Sequence, residues 1–280
     1  MDKPNNYSLS VDASGSGLNL NLKELFKYKD LFFVLAYRDL RVRYSQTFIG
    51  LLWAFIQPAA TLLILCLVFG RFVNVNTNGI PYPVFAITGV ALWNYFSFVL
   101  SQSGSSLINA QEMVKKIYFP RLIIPLSKAV VGLVDFAVAM LILVMLFIYY
   151  GITPGKEVVF LPVFIVLTIF SSLSIGVWLS ALSIRYRDFQ YVLPFLIQFG
   201  LYLSPIAYPT QVVINNLPSW AVFLFYLNPM TGIIEGFRWC LFGGHLPSHY
   251  FWISISFVSV LFFSGLFYFK KVERTMADII

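Results

Sequence analysis

The chain has 280 residues, 59% hydrophobic and 11% charged, with a mean hydropathy of +0.80 and a net charge of +7. So much apolar surface excludes a disordered chain and exceeds what an ordinary soluble domain buries. Two cysteines, Cys66 and Cys240, both in apolar segments, exclude a disulfide framework, and positive charge set beside apolar runs rather than on one basic face excludes nucleic acid as a partner.

Residues 1–21 are polar, rich in Ser, Asn and Gly, and lack the apolar run of a signal peptide, so they are expected to form a mobile tail. Residues 22–44 alternate differently. Leu22, Leu25, Phe26, Phe32, Phe33, Ala36, Tyr37 and Leu40 recur at near-helical spacing, with Lys23, Glu24, Lys27, Lys29, Arg38, Asp39, Arg41 and Arg43 between them. This pattern predicts an amphipathic helix in the headgroup layer, broken at Asp30, which caps a second piece.

Residues 45–280 form one membrane domain. Six apolar runs follow, Phe48 to Gly70, Pro83 to Ile108, Leu122 to Tyr150, Val158 to Ile184, Phe189 to Ala207 and Tyr250 to Phe269. Each is near or above the ~20 residues that cross a ~30 Å hydrocarbon layer. The predicted fold is therefore an all-α polytopic membrane protein with six transmembrane helices. With the N-terminus in the cytoplasm, that side carries 15 Lys and Arg and the far side 3, so both termini are expected to be cytoplasmic. Gln57-Pro58 is expected to kink the first span.

Between the second and third spans, Asn109 and Glu112 stand at N-cap and N3 spacing and Pro120 ends the segment. A capped cytoplasmic helix over about 109–120, of a shape suited to docking, is predicted there, presenting Glu112, Lys115, Lys116 and Tyr118. Residues 209–249 contain two apolar pieces, Trp220 to Leu227 and Met230 to Phe242, both too short to span and separated by prolines. Two re-entrant helices on the extracytoplasmic face are predicted, with Glu235 and Arg238 partly neutralising each other at i,i+3. Asn228, Glu235 and Arg238 are the polar candidates for a gate.

Asp135 lies 13 residues into the third span, where a carboxylate costs about 2.5–3.5 kcal/mol on insertion scales. It needs a partner. Lys128, seven positions earlier on the same face, is roughly 10 Å away along the axis, too far for direct pairing. An interhelical hydrogen bond is the first expectation, and a hydrated channel position or proton relay the alternative.

No Cys/His cluster, nucleophile elbow or close carboxylate pair is visible, so no catalytic or metal residue is assigned; Pro247 between His245 and His249 keeps the two histidines off one helical face. No phosphate-binding loop of the form G-x-x-x-x-G-K-[ST] occurs either.

The ordered set Ala36-Tyr-Arg-Asp-Leu-Arg-Val-Arg-Tyr44, Gly50-Leu-Leu-Trp53-Ala-Phe-Ile-Gln57-Pro58, Lys115-Lys-Ile-Tyr-Phe-Pro-Arg121, Arg185-Tyr-Arg-Asp188, Ser204-Pro205-Ile-Ala-Tyr208 and Asn228-Pro229-Met-Thr-Gly-Ile-Ile-Glu235-Gly-Phe-Arg238 resembles the permease subunit of a type-2 ABC exporter. The branch it most resembles exports polysaccharides such as O-antigen, capsule or teichoic-acid polymers. The resemblance implies a homodimeric permease in the bacterial inner (plasma) membrane, two copies of a separate ATPase that holds ATP and Mg, no cofactor in this chain, and a lipid-linked polysaccharide as substrate. It casts the 109–120 segment as a coupling helix and residues 22–44 as an interface helix.

Under that reading Arg38, Arg41 and Arg43 are candidates for lipid head-group entry, since an arginine fork suits phosphate. Trp53, Phe55, Gln57, Trp93, Tyr95, Phe96, Phe199, Tyr202 and Tyr208 are channel-lining candidates, because flat rings lie well against sugar faces. The alternatives are export of small hydrophobic drugs, an intramembrane glycosyl- or acyl-transfer enzyme, and a proton-coupled secondary transporter using Asp135.

Overall fold

The computed structural model describes residues 22–45, 50–244 and 246–279. The predicted tail at 1–21 and His245 lie outside them. Twelve α-helices occur among the described residues, and no strand. In chain order they are α1 (Leu22–Lys27), α2 (Lys29–Ser45), α3 (Leu52–Leu65), α4 (Tyr82–Asn109), α5 (Gln111–Lys116), α6 (Ile123–Tyr150), α7 (Leu161–Arg185), α8 (Phe189–Leu203), α9 (Thr210–Asn216), α10 (Ser219–Tyr226), α11 (Pro229–Phe242) and α12 (Phe251–Ile279). A π-helical stretch, Cys66–Phe72, prolongs α3, and a 3₁₀ turn, Lys156–Phe160, leads into α7.

The helix ends follow from local chemistry. Pro83 and Pro162 sit in the first turns of α4 and α7, where no intrahelical N–H is needed. Gly151 ends α6 with φ +64°, a left-handed conformation that favours glycine. Asn228 caps α11 by accepting from the Met230 N–H at 3.0 Å, with Pro229 as its first residue.

Among the described residues, five helical segments are long and apolar enough to cross a membrane: Leu52–Phe72, Tyr82–Asn109, Ile123–Tyr150, Lys156–Arg185 and Phe251–Thr275. The run expected as a fifth span, Phe189 to Ala207, is helical for only 15 residues, about 22 Å. Its path is nonetheless long. Leu193 packs against Gly104, Gly200 against Trp93 and Ile206 against Gly89, so the chain from α8 to Ile206 runs antiparallel along most of α4.

Helix α4 is the axis of the bundle, 78% buried over its most apolar stretch, whereas the α3 segment is 17% buried. Small residues let α4 and α7 approach: a Cβ on Gly176 would stand 2.8 Å from the Ser103 Cβ. Helix α12 closes on α7 in the same way, Gly265 lying under the Trp178 indole, which stacks on Tyr268 at 4.6 Å.

At one end of the bundle Leu35 of α2, Leu107 of α4, Val114 of α5, Ile123 of α6, Ala181 of α7 and Phe269 of α12 form one buried cluster. Arg121 reinforces it by donating from its backbone N–H and from Nη1 to the Glu273 side chain and carbonyl. Helices α9, α10 and α11 pack at the opposite end, a placement that follows from α11 contacting the start of α7 and of α12.

Several boundaries differ from expectation. The amphipathic helix breaks at Tyr28, with Asp30 in the first turn of α2. Asn109 does not cap α5: it is the last residue of α4, and Ala110 occupies the junction without a side-chain cap. The predicted helix at 109–120 shrinks to six residues, because the carbonyls of Ser106 and Leu107 still take the Ala110 N–H and α4 runs on to that point. The two short helices fall where expected, and α9 precedes them, too short and polar for hydrophobic periodicity to reveal.

Candidate functional site

Helix α2 lies on α6 and is fastened to it by two ion pairs in register. The Lys128 ammonium pairs with Asp39 Oδ2, and Arg43 Nη2 reaches Asp135 Oδ2 at 2.5 Å. Tyr44 donates to the other Asp135 oxygen at 2.5 Å. Burial and this bond to a carboxylate push the Tyr44 phenol up to about 12, so it remains a donor at neutral pH. The interhelical partner expected for Asp135 is thus Arg43, and Lys128 has a partner of its own.

Arg43 therefore differs from the other two arginines of α2. Its guanidinium lies 4.2 Å from the centroid of the Phe98 ring and faces inward. The Arg38 fork bonds the neighbouring Asp39 at 3.1 and 2.9 Å with its side chain half exposed, and Arg41 is exposed. Arg38 and Arg41 lie on the outside of the bundle.

Arg43 and Asp135 line a cavity of about 380 Å³ between α2, α3, α4, α6 and α8. Its wall carries several polar side chains. Asn94, Ser97 and Ser101 come from one face of α4, Gln102 beside them, and Gln57 and Pro58 from α3. Of the channel-lining candidates, Gln57 alone borders it.

The aromatic candidates separate into two groups. Trp93, Tyr95 and Phe96 are 3%, 2% and 4% exposed and belong to the protomer's own core. Tyr95 donates to the Ala129 carbonyl of α6, and Trp93 covers Gly200 of α8. Packing of α4 accounts for these three, which face no open surface. Trp53, Phe55, Phe199 and Tyr202 are exposed on α3 and α8, and Tyr208 is half-buried with its hydroxyl on the Tyr202 carbonyl.

On the loop between α4 and α6, Val114 turns into the buried end cluster, which leaves Glu112, Lys115, Lys116 and Tyr118 exposed. Glu112 and Lys116 pair at 3.4 Å across one turn. The exposed Arg185-Tyr-Arg-Asp188 turn between α7 and α8 closes the same end of the bundle.

At the other end Glu235 and Arg238 form no direct ion pair, although each charge still favours the other across one turn of α11. The buried Arg238 guanidinium is engaged by α4 and the segment after α8. It donates to the carbonyls of Pro205 at 2.6 Å, Ile206 at 2.8 Å and Phe85 at 3.2 Å, and to the Thr88 hydroxyl at 3.1 Å. Glu235 instead accepts from the Tyr226 hydroxyl at 2.7 Å, the Ser248 N–H at 3.2 Å and the Thr210 hydroxyl at 3.3 Å. Asn228 donates to Ser204 at 2.8 Å. Carbonyls freed where α8 ends thus find donors on α11, as backbone polar groups inside a membrane must. Sequence spacing missed both this clamp and the α2–α6 pairs. The one available signal was the matching charge order, acid then base at Asp39 and Arg43, base then acid at Lys128 and Asp135.

The sequence profile of the ABC-2 type transporter family matches residues 30–242. This chain belongs to that family. Among curated proteins, this ABC-2 type transporter is 29% identical over 266 residues to the O-antigen export system permease protein RfbA of Klebsiella pneumoniae, covering 94% of this chain and 98% of that one. It is 26% identical over 240 residues to the RfbA of Myxococcus xanthus, with 86% and 91% covered. To the polysialic acid transport protein KpsM of Escherichia coli it is 25% identical over 250 residues, with 85% and 92% covered. The transporter's matched region begins within α2 and ends with α11, so it takes in the paired arginine, the exposed α5 loop and the Arg238 clamp.

Proposed function

We propose that this chain is the transmembrane subunit of an ATP-driven exporter that carries a lipid-linked polysaccharide across the bacterial inner (plasma) membrane. The observation that carries the reading is the nearly end-to-end similarity to permeases named for O-antigen export and polysialic acid transport. The working unit is two copies of this chain and two copies of a separate ATPase, on which ATP and Mg reside. Both termini and α5 face the cytoplasm. Supporting this orientation, α2, α5 and the C-terminal half of α12 meet in one cluster at the end where Lys and Arg concentrate. The segment from α8 to Ile206, running along most of α4, makes a sixth passage and returns the chain to the side where α9 to α11 lie.

In the dimer, the exposed faces of α3 and α8, with Trp53, Phe55, Phe199 and Tyr202, border the conduit. Rings there give a sliding polymer contact with little demand on linkage. Arg38 and Arg41 meet the anionic head of the carrier as it leaves the headgroup layer. Glu112, Lys115, Lys116 and Tyr118 dock on the ATPase.

The test is purification from the native membrane followed by mass spectrometry of bound protein and lipid. An ATPase at 1:1 with a co-purifying glycolipid is the expected result. An ATPase without glycolipid favours export of small hydrophobic molecules, and absence of an ATPase overturns the reading.

A further inference from the structure

The cavity beside Arg43 has the make-up of a binding site more than of a packing defect. Asn94, Ser97 and Ser101 stand at i, i+3 and i+7 and line one wall from α4, while Gln57 enters from α3. No described residue hydrogen-bonds the side-chain amide of the half-buried Asn94, or those of the exposed Gln57 and Gln102 at the cavity's edge, and each can donate twice and accept twice. The volume of about 380 Å³ falls within the ~300–1,000 Å³ of sites that hold small ligands.

Arg43 supplies the charged element. Its fork has five N–H donors, more than the single Asp135 oxygen and the Tyr44 hydroxyl beside it can accept. Its side chain is 33% exposed, so donors remain available from the cavity side. A guanidinium flanked by amides and hydroxyls suits a ligand with phosphate oxygens at one end and a polyhydroxylated ring at the other.

We infer that this cavity binds the sugar diphosphate that joins the polymer to its lipid, with a phosphate on Arg43 and ring hydroxyls on Gln57, Asn94, Ser97 and Ser101. This rests on the export reading above and deepens it: each protomer recognises the first sugar as well as the charged head. Asp135 has a defined part. It neutralises Arg43 when the site is empty and competes with the phosphate when it is full, which limits affinity for a group that must move on.

The test uses the permease–ATPase complex in lipid nanodiscs without nucleotide. The probes are farnesyl diphosphate carrying N-acetylglucosamine or galactose, plain farnesyl diphosphate, and inorganic diphosphate. At least one sugar-bearing probe is expected to bind about tenfold more tightly than farnesyl diphosphate, the equivalent of about 1.4 kcal/mol. Asn94→Leu brings that ratio near one without weakening farnesyl diphosphate. The milder pair Ser97→Ala and Ser101→Ala lowers it several-fold and serves if Asn94→Leu fails to assemble. Arg43→Lys weakens all farnesyl probes together, and Asp135→Asn tightens them.

Equal affinity of every farnesyl probe for the parent complex overturns the inference, as does a ratio untouched by both the Asn94 and the serine variants. Inorganic diphosphate binding as tightly as farnesyl diphosphate overturns the lipid-linked ligand. A parent chain that exports polysaccharide in cells yet shows no sugar discrimination loses this inference alone; one that exports none loses the export reading.

Discussion

Arg43 and Asp135, 92 positions apart in sequence, meet at 2.5 Å where α2 reaches the middle of α6. The contact joins α2, the helix expected at the membrane surface, to a carboxylate midway along α6, beside the polar cavity. This partly buried pair is stabilising only while both members are present, since removing one leaves the other partly desolvated without a counter-charge. Arg43→Ala and Asp135→Ala should each lower stability by about 1–3 kcal/mol, and the double variant should cost less than the sum by about 1–2 kcal/mol. Thermal unfolding of the four proteins in detergent measures this; strictly additive losses would mean that the two residues do not interact.

Arg238 should tolerate even a charge-conserving change badly. Arg238→Lys keeps one cation but removes the fork that serves Pro205, Ile206, Phe85 and Thr88 together. A loss of about 2–4 kcal/mol is expected from several unsatisfied buried acceptors. Folded yield and melting temperature report it. A variant as stable as the parent would show that the bend after α8 is held by packing instead.

Exchanging the charges on α5, Glu112→Lys with Lys115→Glu, should cut polymer export several-fold while expression and fold stay intact. The Glu112–Lys116 pair it breaks is an exposed one-turn contact, worth about 0.3–0.5 kcal/mol. Any large loss of export must then come from the partner surface. Export at the parent level would remove α5 from the coupling.

Arg38→Lys with Arg41→Lys preserves charge, and with it membrane orientation, but removes two forks able to hold phosphate through paired bonds. Insertion and ATPase binding should be retained and export substantially reduced. If export is unchanged, the two arginines act only as anchors at anionic headgroups.

Cysteines at Asn76, Gly155 and Asn216 should react with an impermeant thiol reagent from outside spheroplasts, and cysteines at Gln111 and Thr275 should not, in a background with Cys66 and Cys240 replaced by alanine. Labelling at Thr275 from outside would mean an odd number of crossings, with either a full crossing within residues 209–249 or α8 failing to pass through the membrane, and Asn216 would then separate the two.

The sequence by itself determined what repeats or accumulates along the chain. Apolar runs of about 20 residues predict membrane helices, prolines at 218 and 229 delimit the two short helices, and a charge bias sums over whole loops. Each of these signals is local or additive, so no knowledge of contacts was needed. The tertiary structure alone decided which polar groups meet. Asp135 could be recognised as needing a partner and Lys128 as too distant to be it, yet no spacing pointed to Arg43, which only the packing of α2 along α6 brings to Asp135 while Asp39 takes Lys128. Glu235 and Arg238 share a helical neighbourhood by spacing, but Arg238 turns to the four acceptors around the end of α8 because unpaired carbonyls there cost more than an unpaired i,i+3 neighbour. Aromatic residues on α3 and α4 look alike in sequence; close packing of α4 against α6 and α8 buries Trp93, Tyr95 and Phe96, while α3, at the margin of the bundle, keeps Trp53 and Phe55 exposed.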